Sequence, residues 1–166
     1  MYLAQLNEAV AQLIATTDFS PLVDTLKNQL QDTPEPFVWS SIDLKSVAPL
    51  PGTIKSCWIF VLKQNVPSGC HFHPNSIQHM VTIEGEGTSE VGGVSREMKC
   101  FGEPGSALED IWYVIPEGVP HEFFPRGKDV VVVSFHTCEP HELQEISCDS
   151  GTMREYEPLK AVHDRH

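Results

Sequence analysis

The stretch Gly69-Cys70-His71-Phe72-His73-Pro74-Asn75-Ser76-Ile77-Gln78 carries the pattern that decides the fold. If these residues enter a β-strand, His71 and His73 point to the same face, because side chains alternate between the two faces of a strand. Two imidazoles on one face provide half of a typical metal site. A third histidine, His121, ends the segment 116–121, whose Pro-x-Gly turn can return the chain beside the first pair.

The chain around these histidines has the pattern of a β-sandwich or barrel. From Phe37 onward, short β-rich runs alternate with Gly and Pro at a spacing typical of hairpins rather than of β-α-β units. The predicted strands are 54–62, 77–83, 89–94, 111–115 and 130–136.

Two amphipathic helices are predicted before this β-rich region. Residues 2–15 carry an apolar stripe at helical spacing, and a second stripe continues to about residue 31. Ser20 and Pro21 predict the N-cap and the first residue of the second helix. We therefore divide the chain into a helical extension (1–36), a barrel (37–140) and a polar tail (141–166). Whether the tail packs on the barrel stays open.

Composition narrows the classes of partner and the compartment. The 166 residues have a formal net charge of −12, which disfavours nucleic acid and anionic membrane surfaces as partners. No apolar run is long enough to span a membrane, and the N-terminus lacks a signal-peptide pattern. The five cysteines form no CxxC motif. We therefore expect reduced cysteines and a cytoplasmic location.

The two histidine motifs resemble those of the cupin family. The cupin patterns are G-x5-H-x-H-x3-4-E-x6-G and P-x-G-x2-H-x3-N. This sequence has His71-x-His73-x4-Gln78-x6-Gly85, followed by Pro116-x-Gly118-x2-His121. The resemblance implies an all-β jelly-roll (double-stranded β-helix) barrel preceded by two α-helices. It also implies a homodimer, and one divalent metal ion held by His71, His73, Gln78 and His121.

The chain departs from the family pattern at Gln78, where cupins usually have Glu. An amide oxygen is neutral, so three His and a Gln hold the metal more weakly but leave it a stronger Lewis acid. Zn, Ni, Fe and Mn all suit these donors. Cupins with this Gln include an enzyme that linearises unsaturated uronic acids and aromatic polyketide cyclases. Alternation places His79 on the outer face, although a β-bulge would let it replace Gln78.

His136 is the candidate catalytic residue outside the metal ligands. Ser134, His136 and Cys138 share one face of the last predicted strand. Alignment with the uronate-linearising cupin, by the prolines that follow, places His136 at the position of an acidic residue that acts beside the metal. An imidazole there can transfer protons at a carbonyl carbon. The alternative is that His136 marks the surface end of the strand.

Three functions follow from these residues, each with a small-molecule partner. The first is a non-redox metalloenzyme of the isomerase, cyclase or lyase type that acts on a carbonyl or enolate substrate. The second is an Fe(II)-dependent dioxygenase that cleaves thiols or diketones. Thiol dioxygenases carry Ser-x-His-x-Tyr where this chain has Cys138 in place of the Tyr. The third is a non-catalytic, metal-dependent ligand-binding or sensor cupin. The pattern favours an enzyme over a binder.

Overall fold

The structure is a computed structural model that describes residues 2–156. Its α-helices are α1 (Tyr2–Ala15), α2 (Phe19–Gln31) and α3 (Leu108–Ile111). Its strands, in chain order, are β1 (Phe37–Ile42), β2 (Ser56–Leu62), β3 (His71–Phe72), β4 (Gln78–Glu84), β5 (Gly87–Val91), β6 (Val94–Glu97), β7 (Tyr113–Ile115), β8 (His121–Pro125), β9 (Val130–His136), β10 (Gln144–Ser147) and β11 (Met153–Glu155).

The strands form two sheets with antiparallel pairing between neighbouring strands. The first sheet has the order β1-β2-β9-β4-β7, and the second has the order β11-β10-β3-β8-β5-β6. Side chains from both sheets meet in one buried cluster, which includes Trp58 and Met80 from the first sheet and Phe123 from the second. The predicted all-β jelly roll with two N-terminal helices is confirmed.

The two N-terminal helices cover the outer face of the first sheet. Leu6, Leu26 and Leu30 are buried in a second cluster together with outward-facing residues of β2 and β9, such as Ile59 and Phe135. Strands β2 and β9 are therefore buried on both faces. This double burial explains why residues 130–136 read as one continuous apolar run rather than as an alternating strand.

Local boundaries differ from the prediction at several places. The predicted strand 111–115 begins only at Tyr113, because Ile111 ends helix α3, and the predicted strand 54–62 begins at Ser56. Helix α2 begins at Phe19 after an Asp18 N-cap, so the predicted Ser20 cap is wrong. The predicted strand 89–94 is instead a hairpin, in which Gly92 and Gly93 turn the chain with positive φ angles of 55° and 80°. Glycine adopts this region without steric cost, so the Gly-Gly pair reverses the chain between β5 and β6.

The segment after Pro140 packs on the barrel. Strand β10 pairs with β3, and β11 pairs with β10, so both extend the second sheet. Of the predicted tail 141–166, residues 157–166 lie outside the described residues. The division of the chain at residues 36 and 140 stays a prediction.

Cys70 and Cys148 form a disulfide that fastens this segment to the barrel. Their Cα atoms are 5.5 Å apart, and the amide of Cys148 donates to the carbonyl of Cys70. The expectation that all cysteines are reduced is therefore wrong for this pair. Alternation turns Cys70 away from His71, and the pairing of β10 with β3 brings Cys148 beside it from 78 residues further along the chain. Cys57, Cys100 and Cys138 are free.

The helices within residues 2–156 include none with the length and apolar character required to cross a membrane.

Candidate metal centre

Three histidines from the two motifs converge inside the barrel. His71 on β3 lies directly opposite His121 on β8, with ring centroids 4.4 Å apart. His73 follows β3, and its ring centroid is 5.3 Å from each of the other two. One ring nitrogen of each residue lies within 4.8 Å of those of the other two, and all three side chains are buried. The alternation argument and the second motif thus identified a real cluster.

The turn at Gly118 brings the second motif to the first. Gly118 has a positive φ of 74°, and its amide donates to the carbonyl of His73. A residue with a β-carbon adopts this conformation only at an energetic cost, which explains the glycine in the Pro-x-Gly-x2-His pattern. The turn delivers His121 to the start of β8, opposite His71.

Backbone carbonyl groups orient all three imidazoles in the same way. The Nδ1 atoms of His71, His73 and His121 lie 3.0, 2.7 and 2.9 Å from the carbonyl oxygens of Gly69, Gln144 and Val119. A carbonyl only accepts, so each Nδ1 carries the proton and donates. Each Nε2 then keeps its lone pair, as a metal-ligating histidine requires.

Burial keeps these imidazoles neutral. It lowers the pKa of His71 to about 2, with additional lowering from His121 and His73. Burial also lowers the pKa of His121 to about 4, and His73 lowers it further. The pKa of His73 is lowered for the same first reason. Neutral imidazole is the form that binds metal, so the three histidines are already in the protonation state that a cation requires.

Gln78 presents an amide oxygen at the same site. It begins β4 and lines a cavity together with His71 and His73. Its Nε2 donates to the Ser134 hydroxyl at 3.0 Å, whereas its Oε1 is buried without a hydrogen-bond partner. A buried, unpaired oxygen is costly unless something binds it. A cation would satisfy this oxygen.

His79 points to the opposite side of β4, as alternation predicted. Its ring packs 5.2 Å from that of Tyr2 on α1, and the residue is buried because the helices cover this face. Burial lowers its pKa. Strand β4 does slip in register, but the slip falls between Thr82 and Glu84, so it leaves Gln78 rather than His79 facing inward.

His136 is fully buried in the barrel and does not mark a surface strand end. Its Nδ1 lies 2.7 Å from the Ser76 hydroxyl, and its Nε2 lies 3.3 Å from the Ser134 hydroxyl. Its ring centroid is 5.0 Å from that of His73. Burial, and then the neighbouring His73, hold its pKa well below the usual range. Both ring nitrogens are thus hydrogen-bonded to serine hydroxyls, and one of these, Ser134, also accepts a hydrogen bond from Gln78.

Glu145 is the residue at this site that sequence reasoning missed. It lies on β10, and its Oε2 is 3.9 Å from the Nε2 of His71. That oxygen is buried without a hydrogen-bond partner, and burial raises the pKa of Glu145 to about 7. No motif marks this residue in the sequence. Only the pairing of β10 with β3 reveals that it faces the histidines.

The cavity beside the histidines is small and mostly apolar. Its volume is about 30 Å³, enough for about two water molecules. Its polar lining includes His71, His73 and Gln78, and the other lining residues are Phe37, Phe60, Leu62, Ser68, Met80, Phe123, Val132 and Tyr156. Apolar walls of this kind strengthen electrostatic interactions between the groups that they surround.

The described residues fit a divalent metal ion. Three lone-pair nitrogens lie together, and buried polar atoms without a partner remain on His121 (Nε2), Gln78 (Oε1) and Glu145 (Oε2). Imidazole nitrogen with amide or carboxylate oxygen is a donor set for first-row transition metals. The chemistry of these donors leaves the identity of the ion open.

The sequence matches no protein-family model and no curated protein. Solved structures do match in fold. The coconut allergen cocosin is 15% identical with a TM-score of 0.52, over 69% of this chain and 29% of that chain. Salicylate 1,2-dioxygenase from Pseudaminobacter salicylatoxidans is 11% identical with a TM-score of 0.53, over 70% and 33%.

A third structure, oxalate oxidase in complex with the substrate analogue glycolate, is 21% identical over 63% of this chain and 52% of that chain. Its TM-score is 0.47. This chain thus spans about half of the oxalate oxidase chain and about a third of the other two. The matches to cocosin and salicylate 1,2-dioxygenase, together with the two packed sheets, show that this chain has the cupin fold.

Proposed function

We propose that this protein is a metal-dependent enzyme that acts on a small molecule. His71, His73, His121 and Gln78 would hold one divalent ion. The observation that carries the proposal is the shared orientation of the three imidazoles, whose Nδ1 atoms are all bonded to backbone carbonyls, in a cluster where one ring nitrogen of each lies within 4.8 Å of the others. Metal-ligating histidines almost always donate their other ring N–H to such a partner, so this arrangement is the one expected of three ligands.

A bound ion would supply Lewis acidity toward a carbonyl or enolate oxygen. Because the four proposed ligands are all neutral, they leave the positive charge available to a substrate oxygen that becomes negative. The apolar walls around Phe60, Met80 and Phe123 keep water from competing for that oxygen. Isomerisation, cyclisation and lyase reactions share this charge development, so the proposal covers these three non-redox types.

Within this proposal, His136 acts by positioning Gln78. Ser134 accepts from the Gln78 amide nitrogen and can donate its own proton to Nε2 of His136. The Nδ1 of His136 then donates to Ser76. This chain of hydrogen bonds turns Oε1 of Gln78 away from Ser134 and leaves it free as a ligand. A direct catalytic role of His136, as predicted from its strand, stays a prediction, because its contacts are with serines.

A second candidate function is an Fe(II)-dependent dioxygenase. Three neutral imidazoles are also compatible with iron, and one protein of similar fold is a salicylate 1,2-dioxygenase. At 11% identity that similarity concerns the fold. Oxygen uptake by the Fe(II)-loaded protein, with a thiol, a diketone and an aromatic hydroxy acid as substrates, separates this candidate from the non-redox enzyme.

The test of the proposed site is metal content by elemental mass spectrometry on untagged protein. We expect about one ion per chain in the wild type, loss of the ion in His71→Ala, and reduced content in Gln78→Ala. His141→Ala is the matched control, because His141 is exposed and distant from both motifs in sequence. Equal content in the wild type and His71→Ala after incubation with divalent metals would refute the site. Metal-dependent ligand binding without turnover would instead support the sensor alternative.

The assembly and location of the protein are also proposals. A homodimer is expected from the family resemblance, and light scattering after size-exclusion chromatography tests it. The cytoplasmic location proposed from the sequence is at odds with the Cys70–Cys148 disulfide, since disulfides persist mainly in oxidising compartments. The redox state of this pair in protein taken directly from cells, trapped with a thiol-alkylating reagent, decides between the two.

A further inference from the structure

Strand β10 brings a carboxylate to the histidine cluster. Ile146 pairs with Phe72 and Ser147 with His71, so continuing this register by one residue sets Glu145 opposite His73. Opposite residues of an antiparallel pair point to the same face. Glu145 therefore faces the barrel interior on the side from which His71 and His73 project.

Among the described residues, no Lys or Arg forms a salt bridge with the buried Glu145 carboxylate, and His71, the imidazole 3.9 Å from it, is kept neutral by burial. Burial is the larger influence on the pKa of Glu145, and the charge of Arg154 lowers that pKa only secondarily. The Glu145 side chain is only 10% exposed, and Oε2 has no hydrogen-bond partner. Arg154 is its neighbour across β10 and β11, but the Arg154 guanidinium instead contacts Glu35 at 3.4 Å and lies over the ring of Phe37. A carboxylate buried in this way destabilises a fold unless a cation or a donor compensates it.

The distances between Glu145 and the histidine nitrogens indicate how its carboxylate can interact with a bound metal. Two ligands with bonds of about 2.1 Å to one ion are at most about 4.2 Å apart. The three histidine nitrogens lie within 4.8 Å of one another, and no oxygen of Glu145 lies within that distance of all three. The carboxylate thus lies 3.9 Å from one histidine nitrogen but is not part of the group formed by the three histidines.

We propose that Glu145 is the outer-sphere carboxylate of the metal centre, where it accepts a hydrogen bond from a water or substrate hydroxyl held between it and the ion. This inference rests on the proposed metal site. Glu145 would act from the C-terminal strand, outside the four neutral ligands, so the ion itself keeps its charge for a substrate oxygen. Groups beside a metal that act in this way typically change its affinity 10- to 100-fold.

The experiment measures Zn²⁺ affinity by competition with a chromophoric chelator. It compares wild type, Glu145→Gln, His71→Ala and the control Glu155→Gln, in which the altered glutamate is exposed on the neighbouring β11. We expect Glu145→Gln to bind one Zn²⁺ per chain with an affinity roughly 10- to 100-fold weaker. Glu155→Gln should match the wild type. The thermal midpoint of metal-free Glu145→Gln should equal or exceed that of the wild type, because a neutral amide is less costly to bury.

The other outcomes separate the failure of this inference from failure of the metal site. If His71→Ala loses Zn²⁺ while Glu145→Gln binds as the wild type does, Glu145 has no role at the metal and only this inference fails. Complete loss of binding in Glu145→Gln would make it a direct ligand and overturn the outer-sphere role. A lower metal-free midpoint with weaker binding would show a structural role. If the wild type binds no Zn²⁺, the proposed function itself fails.

Discussion

Removing the Cys70–Cys148 disulfide tests how the C-terminal segment is held. The bond joins the residue before His71 to the residue after β10, so it lies at the junction of the barrel and the segment that carries Glu145. The perturbation is the double variant Cys70→Ser/Cys148→Ser, which leaves Cys57, Cys100 and Cys138 in place.

The expected destabilisation follows from the length of the loop that the bond closes. The two cysteines are 78 residues apart, and the chain-entropy relation gives a loss of about 4.5 kcal/mol at 25 °C for a loop of that size. For a chain of 166 residues, that loss corresponds to a fall in Tm of roughly 10–15 °C. Residual structure in the unfolded state would reduce both figures.

Urea unfolding of the metal-free protein, with and without reductant, measures this loss. We expect reductant to lower the urea midpoint of the wild type to that of the double variant, and to leave the double variant unchanged. Cys100→Ser is the control, because Cys100 is a free and partly exposed thiol. Thiol titration in denaturant should find three reactive cysteines without reductant and five with it.

Two results would refute this reasoning. Five reactive thiols in non-reduced protein would mean that Cys70 and Cys148 are not bonded. A bonded pair whose removal costs less than about 1 kcal/mol would mean that loop closure is not how the bond stabilises the fold.

Three further predictions concern the histidines, the motif turn and the helices. In the metal-free Glu145→Gln background, the free energy of unfolding should fall by about 2 kcal/mol from pH 6.5 to 5.5. The reason is that His71 and His121 have folded pKa values of about 2 and 4, below the unfolded value of about 6.5. Their stabilisation is lost as the pH falls, and each loses about 1 kcal/mol over this interval because an unfolded histidine is already half protonated at pH 6.5. Equal urea midpoints at the two pH values would contradict it. The Glu145→Gln background is needed because the folded pKa of Glu145 is raised to about 7. As the pH falls from 6.5 to 5.5, protonation of Glu145 in the folded state would raise the free energy of unfolding and partly cancel the effect of the histidines. Gly118→Ala should lower the free energy of unfolding by about 1–2 kcal/mol, because φ is 74° at this position. The substitution should also weaken Zn²⁺ binding by displacing His121. Unchanged Zn²⁺ affinity would show that the turn does not position this histidine. Leu26→Ala should lower the free energy of unfolding in urea by about 2–5 kcal/mol, because Leu26 is buried between α2 and the first sheet. The control Asn28→Ala, at an exposed position of the same helix, should change it little. Equal effects of the two substitutions would show that the helices do not share the core of the barrel.

The histidine cluster was predictable from the sequence because its determinants are local. Side-chain alternation along a strand places His71 and His73 on one face. The Pro-x-Gly turn requires a positive φ at Gly118, which glycine adopts more readily than other residues. Each rule acts over fewer than about ten residues, so a single sequence carries it. The family patterns then supplied the one long-range fact, that the two motifs meet.

The surroundings of the cluster were not predictable, because they depend on pairing between distant segments. Residues 144–147 are too polar and too few to read as a strand, and only their register on β3 turns Glu145 inward. The same pairing created the disulfide across 78 residues. His79 illustrates a different limit: alternation gave its direction, but whether that face meets water or a helix depends on where α1 docks.

The C-terminal hairpin links the stability of the fold to the chemistry of the site. The carbonyl of Gln144 orients His73, the next residue supplies the buried Glu145 carboxylate, and Cys148 fastens the same hairpin to the residue before His71. A hairpin that only covered the barrel end would not need a buried carboxylate, which opposes folding. A bound cation would offset that cost, since a ligand that binds only the folded state stabilises it. Opening the disulfide should therefore weaken metal affinity even though every proposed ligand remains, because the ring of His73 and the charge of Glu145 both depend on how β10 is docked.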